Sequence, residues 1–94
     1  MSDSILQVPT PEEAKVLIRK AGHRLTPQRL LLLDLLRTHK TFLDADQIYA
    51  LARKHEGDTS LATVYRNLQL FVELGLVEAR YLDPEHRREY YRIA

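Results

Sequence analysis

The sequence predicts a mainly α-helical fold that ends in a small β-hairpin. Two observations lead to this prediction. Apolar residues recur at helical spacing in four stretches, each with its own start signal, and after Gly75 the spacing changes to that of two short strands. With 94 residues, 45% of them apolar, the chain has room for one compact core. We expect residues 1–9 to form a flexible leader and residues 10–94 to form a single domain.

The first two helices share a start signal, a threonine followed by proline. At Thr10–Pro11 the hydroxyl can cap the helix, and proline suits the first helical position because its missing N–H would have no partner there. This helix should run to about Ala21 and end at Gly22. The signal repeats at Thr26–Pro27. The run Leu30–Leu36 leaves little polar surface, so the second helix is predicted to be the central buried one.

The third and fourth helices form a predicted helix-turn-helix. Asp44 and Gln47 can cap a helix over roughly Ala45 to Lys54 reciprocally. The stretch Ser60 to Gly75 reads as the fourth helix, with a good N-cap at its start and a left-handed stop at its end. Two helices joined by a short turn that contains Gly57 are the helix-turn-helix arrangement.

The fourth helix has an apolar arc and an exposed face with almost no charge. The residues on the apolar arc are Leu61, Val64, Leu68, Phe71 and Val72. On the opposite face Arg66 is the single cation, and small or uncharged side chains surround it. An ordinary surface helix would usually carry several Lys and Glu residues there. Such a face could approach a DNA major groove closely while the arginine reaches a base edge.

The last part of the chain predicts a hairpin. Val77–Leu82 and Glu89–Ile93 have strand character, and Asp83–His86 is a turn-forming cluster between them. Arg87 and Arg88 should lie at the tip or on the second arm. We call the fourth helix the reading helix, because its exposed face could contact base edges. A hairpin after it predicts a winged helix-turn-helix, here with an additional N-terminal helix.

Composition and charge exclude several functions. The net charge is only +1, but positions 19–40 carry six basic residues against one acid, which suits a polyanionic partner. The absence of cysteine excludes thiolate zinc sites and a cysteine nucleophile within this chain. No nucleophile has a recognisable base beside it and no glycine-rich phosphate loop is present, so we expect no enzyme. No apolar run is long enough for a membrane helix and no signal peptide is recognisable, which favours a cytoplasmic protein without membrane contact.

Three motifs in order make the chain resemble the ferric uptake regulator (Fur) family. They are GHRLTPQR at 22–29, DADQIY at 44–49, and SLATVYRNL at 60–68 followed by ELGLV at 73–77. The resemblance covers about Pro11 to Ile93, the family's DNA-binding domain. It implies a bacterial, metal-responsive transcription regulator that binds double-stranded operator DNA, with repression as the expected mode. The family's second domain dimerises. We therefore expect this chain alone to be a monomer and the full-length protein to be a homodimer.

The resemblance also assigns residues to DNA contact. By position, it implies that Tyr65 and Arg66 read the major groove and that Arg24 approaches the minor groove. Thr63 and Arg29 match positions near phosphate. With the two wing arginines and one further residue of the reading helix, the expected DNA-binding set is Arg24, Arg29, Thr63, Tyr65, Arg66, Asn67, Arg87 and Arg88.

For a full-length protein the resemblance implies a divalent metal, namely iron, zinc or manganese. A histidine that many members use as a ligand immediately before the equivalent of Leu43 is Phe42 here. The carboxylate that many members contribute from the second wing strand matches Glu89 in one register and Arg92 in another. The four histidines are far apart and no HxH, HxxH or HxxxH spacing occurs, so we expect no metal site within this chain. The weak candidates are His39 and Glu89.

One alternative function comes from another class: a winged helix used as a protein–protein interaction module without DNA binding. Such modules often lose basic character on the reading helix and the wing. Here Arg24, Arg29 and Arg66 stand where DNA contact would require them. The acidic residues Glu73 and Glu78 favour the protein-interaction module instead. The distribution of charge favours DNA binding.

Overall fold

The computed structural model describes residues 10–55 and 58–94. In chain order the elements are α1 (Pro11–Lys20), α2 (Pro27–His39), β1 (Leu43–Asp44), α3 (Ala45–His55), α4 (Leu61–Glu73), β2 (Val77–Tyr81) and β3 (Glu89–Ile93). The predicted winged helix-turn-helix with an additional N-terminal helix is confirmed, and most of the predicted element ends agree to within one or two residues. The predicted leader over residues 1–9 and Gly57 of the predicted turn lie outside the described residues.

The predicted caps set the helix boundaries. The Thr10 hydroxyl accepts the Glu13 N–H at 3.1 Å while the Glu13 carboxylate accepts the Thr10 N–H at 2.8 Å. Ser60 caps α4 by accepting the Thr63 N–H at 3.1 Å. Gly75 ends that helix with φ = 76°, a conformation that glycine adopts without steric cost. Each side-chain cap stabilises its helix by about 1 kcal/mol.

Strand β1, which lies between α2 and α3, was not predicted from the sequence. Leu43 pairs with Tyr91 and Asp44 with Tyr90, both antiparallel, so β3 lies in the middle of a sheet with the order β1-β3-β2. A strand of two residues has no periodicity of its own. Only its pairing with a distant strand defines it.

The core lies between the helices and one face of the sheet. Its completely buried large side chains are Ile18, Leu32, Leu36, Ile48, Val64, Leu68, Phe71, Leu76 and Tyr91. Three of these come from the predicted apolar arc of α4, and Leu61 and Val72 at the edges of the arc are half-buried. In the described part of the chain, no helix is both long and apolar enough to cross a membrane.

Candidate nucleic-acid interface

The exposed face of α4 is the centre of the candidate interface. Because Val64, Leu68 and Phe71 anchor the opposite side in the core, the helix presents Arg66 to solvent, with Tyr65 beside it at 47% exposure. Within residues 10–55 and 58–94 the guanidinium of Arg66 has no hydrogen bond or ion pair. The exposure of Arg66 agrees with the sequence prediction, and its guanidinium is available to a partner outside the domain.

Arg29 connects α2, α4 and the link between α1 and α2. Its Nε donates to Oδ1 of Asn67 at 3.0 Å, and its Nη1 donates to the carbonyl oxygen of Arg24 at 2.7 Å. Asn67 is only 6% exposed. Its side chain faces α2 rather than solvent, one helical step of about 100° from Arg66. The amide oxygen of Asn67 is therefore already bonded inside the domain, which the sequence did not indicate.

The Arg24 backbone is held by this contact, whereas its side chain is exposed and has no partner among the described residues. An open groove of about 450 Å³ separates the first turn of α2 from the face of α4, with His23, Gln28, Thr63 and Arg66 along its walls. The link and the reading helix thus face the same open space. An elongated polyanion could contact both.

The two wing arginines have different environments. The exposed Arg87 pairs with Glu85 on the wing turn, and its backbone N–H donates to the Asp83 carboxylate at 3.0 Å. Arg88 instead reaches back to the start of α3, where its Nη1 donates to Asp44 at 2.8 Å and Asp46 at 3.2 Å. Sequence reasoning grouped the two as DNA contacts, but the guanidinium of Arg88 is already engaged by two carboxylates.

Asp44 has two functions at this junction. One carboxylate oxygen accepts the Gln47 N–H at 2.8 Å and caps α3, as predicted, while the other accepts from Arg88. The Asp44 carboxylate raises the pKa of the Arg88 guanidinium. Since Arg88 immediately precedes β3, this ion pair fastens the wing to the helix before the reading helix. Sequence reasoning saw only the cap.

Tyr65 lies where α4 meets the wing. It lines a cleft of about 220 Å³ together with Tyr81 and Glu89. Glu89 accepts a hydrogen bond from the buried Tyr91 hydroxyl at 3.2 Å, and burial raises the pKa of that hydroxyl. The phenol of Tyr91 therefore stays protonated and keeps donating to Glu89 over the physiological pH range.

Comparison with known proteins identifies the family. The model of the ferric uptake regulator family matches residues 20–94, most of the chain. This chain belongs to the Fur family. Regulators of this family are metal-responsive, bind DNA and are not enzymes. The peroxide-responsive repressor PerR of Staphylococcus aureus is 38% identical over 80 residues, which are 84% of this chain and 54% of that protein.

Solved structures of Fur-family proteins share the fold. PerR from Streptococcus pyogenes has a TM-score of 0.78 at 26% identity, covering 93% of this chain and 59% of that one. The ferric uptake regulator of Pseudomonas aeruginosa, solved with manganese, has a TM-score of 0.72 at 28% identity, covering 86% of this chain and 60% of that one. The Fur-family chain described here thus spans about half the length of the curated relatives that it matches.

The two weak metal candidates of this Fur-family chain each have a partner inside the domain. Nδ1 of His39 lies 2.9 Å from the Leu35 carbonyl oxygen, so this nitrogen carries the proton and donates within its own helix. Glu89 accepts from Tyr91. In the described ranges, 10–55 and 58–94, no three His, Cys, Asp or Glu side chains come together as a metal-binding group.

Proposed function

We propose that this chain is the DNA-binding half of a Fur-family repressor and binds double-stranded operator DNA with α4 in the major groove. The observation that carries the proposal is the exposed face of α4, where an unpaired Arg66 stands beside a half-exposed tyrosine among small, uncharged neighbours. Arginine bonded to guanine is the commonest specific contact in the major groove. The repressor name of the Staphylococcus aureus relative supports repression as the mode of regulation.

Five side chains of the interface have proposed roles in contact with DNA. Arg66 reads a base edge, and Tyr65 contributes its ring and hydroxyl to the same groove. Thr63, half-buried near the start of α4, contacts phosphate. Arg24 extends from the fixed link toward the adjacent minor groove, and Arg87 contacts phosphate from the wing. The exposed Glu73 near the end of α4 would disfavour phosphate there and so limit the docking angle.

Arg29 and Asn67 are proposed as positioning residues rather than direct contacts. The bond between them ties the first turn of α2 to the middle of α4, and the second Arg29 bond fixes the Arg24 backbone. Specific recognition needs the link and the reading helix at a constant separation, since they would contact neighbouring grooves. One guanidinium holds both.

We also propose that the full-length protein binds DNA as a homodimer. A single winged helix occupies one half-site. A homodimeric full-length regulator in the cytoplasm would therefore bind through two copies of this domain, and this chain alone would bind weakly as a monomer.

Selection of duplexes from a random pool by the chain, at low salt, tests the proposed DNA binding. A reproducible enriched motif is expected. An unenriched pool with no retained DNA would favour a protein-interaction module instead.

Arg87→Gln and Arg88→Gln are a matched pair, because each removes one charge at adjacent positions. Arg87→Gln is expected to make the log-log salt slope of DNA binding less steep by about 0.9 and to leave the melting temperature unchanged. Arg88→Gln is expected to leave the slope unchanged and to lower the melting temperature, since Asp44 loses its partner. Fluorescence anisotropy over several salt concentrations, with thermal melts, measures both. A slope change of about 0.9 for Arg88→Gln would instead make it a phosphate contact.

A further inference from the structure

A cluster of two cations, one aromatic ring and one carboxylate lies at the base of the wing. The Arg92 guanidinium carbon is 4.5 Å from the centroid of the Phe42 ring, and that of Arg80 is 5.8 Å away. Glu78 accepts from Arg92 at 3.2 Å and from Arg80 as well. The wing-base cluster, as we call Phe42, Glu78, Arg80 and Arg92, thus joins both wing strands to the residue that precedes β1.

The arrangement follows from the sheet register. Leu43 pairs with Tyr91, so the preceding Phe42 comes beside Arg92, the next residue of β3. Arg92 in turn lies opposite Glu78 on β2. Glu89 is three residues away, opposite Tyr81. Arg92, and not Glu89, is therefore the β3 residue that meets the position where the Fur resemblance implied a histidine ligand.

The wing-base cluster does not fit a divalent metal, which the family and the manganese-containing solved relative imply. Phenylalanine has no donor atom for a metal, and an arginine guanidinium offers only N–H groups and a permanent positive charge. The single carboxylate, Glu78, already accepts from both guanidiniums, and they lower its pKa, most of all Arg80. A divalent cation placed here would meet two like charges and one engaged ligand.

We propose that the wing-base cluster fastens β1 to the wing through a cation of the chain itself, the guanidinium of Arg92. The conformation of this DNA-binding half is then independent of divalent metal. Arg92 supplies the positive charge, and Phe42 and Glu78 hold it from two sides. The segment between α2 and α3 is then fixed to β3 at all metal concentrations. Any metal response of a full-length protein would have to arise from residues other than these four. The description of this half as DNA-binding rests on the proposed function, whereas the fastening of β1 and the indifference of the domain to metal do not.

Arg92→Met tests the fastening, because it removes the charge and keeps most of the side-chain length. The matched control is Arg53→Met on α3. The Arg53 guanidinium carbon lies 5.6 Å from the centroid of the Tyr49 ring, so this variant also removes a guanidinium from an aromatic ring. In the 94-residue chain, amide exchange of the β1–β3 pairs is expected to accelerate about two- to fivefold in Arg92→Met and to stay unchanged in Arg53→Met. Unchanged exchange in Arg92→Met, or equal acceleration in both variants, would overturn the fastening.

Metal indifference is tested on the same proteins without DNA. Zinc(II) and manganese(II) are titrated against a chromophoric chelator, and thermal melts are recorded with each metal in excess. The unaltered chain is expected to take no metal from the chelator. It is also expected to melt at the same temperature with and without metal. Stoichiometric metal uptake that disappears in Phe42→Leu or Arg92→Met would overturn the proposal. Because neither readout involves DNA, a failure of DNA binding would leave both results interpretable.

Discussion

Arg66→Ala is expected to weaken binding to a selected operator duplex by about 1–3 kcal/mol, with a much smaller loss on random duplex. The reason is geometric. Arg66 stands alone as a cation on a face whose neighbours are small or uncharged, and within the described residues its guanidinium has no other partner. A bidentate contact to a base edge depends on sequence, whereas a phosphate contact does not.

Binding of both duplexes by fluorescence anisotropy at one salt concentration measures this difference. Arg19→Ala is the control, because Arg19 is also exposed but lies on α1 and does not line the groove. It should leave both affinities nearly unchanged. Equal losses on operator and random duplex for Arg66→Ala would reassign Arg66 to the phosphate backbone.

Asn67→Leu is expected to lower the free energy of unfolding by about 1.5–3 kcal/mol, because it removes an acceptor from a charged, half-buried donor. For a domain of this size the melting temperature should fall by on the order of 10 °C. Operator affinity should also fall at temperatures where the domain is fully folded, since Arg24 and α4 would lose their fixed separation. The salt slope should change by less than about 0.9, because no cation is removed.

A double-mutant cycle with Arg29→Met identifies the cause. Asn67 and Arg29 share one hydrogen bond, so the two losses of unfolding free energy should be clearly less than additive, with a coupling of about 1 kcal/mol or more. Chemical denaturation of the four proteins measures it. Additive losses would show that the two side chains act separately, and the positioning role would then be wrong.

The helices and the hairpin could be predicted because their signals are local. Caps, prolines and glycines lie within four residues of the boundaries that they set, and the apolar arc of α4 reflects a fixed helical period. Strand β1 could not be predicted in this way. Leu43 and Asp44 become a strand only through pairing with Tyr91 and Tyr90, almost 50 positions later in the chain.

The candidate site was predictable only in part for the same reason. The exposure of Arg66 and Arg24 was predictable, because it follows from the helical period and from position in a link. The burial of Asn67 was not predictable, because its partner, Arg29, is 38 positions away and the bond between them leaves no local pattern. Arg87 and Arg88 look alike in sequence. Their difference arises from Asp44 and Asp46, which the sequence explained fully as helix-start residues.

The salt dependence of DNA binding by this chain tests the central claim most directly. Since Arg29 and Arg88 are engaged inside the domain, Arg24, Arg66 and Arg87 are the arginines of the proposed interface that remain to neutralise phosphate charge. The log-log slope of affinity against salt should then be about −2 to −3. A labelled selected duplex, titrated with the chain at several low salt concentrations, gives the slope. We expect saturable binding whose log-log salt slope lies within this range. No binding at the lowest salt, with the domain shown to be folded, would contradict it.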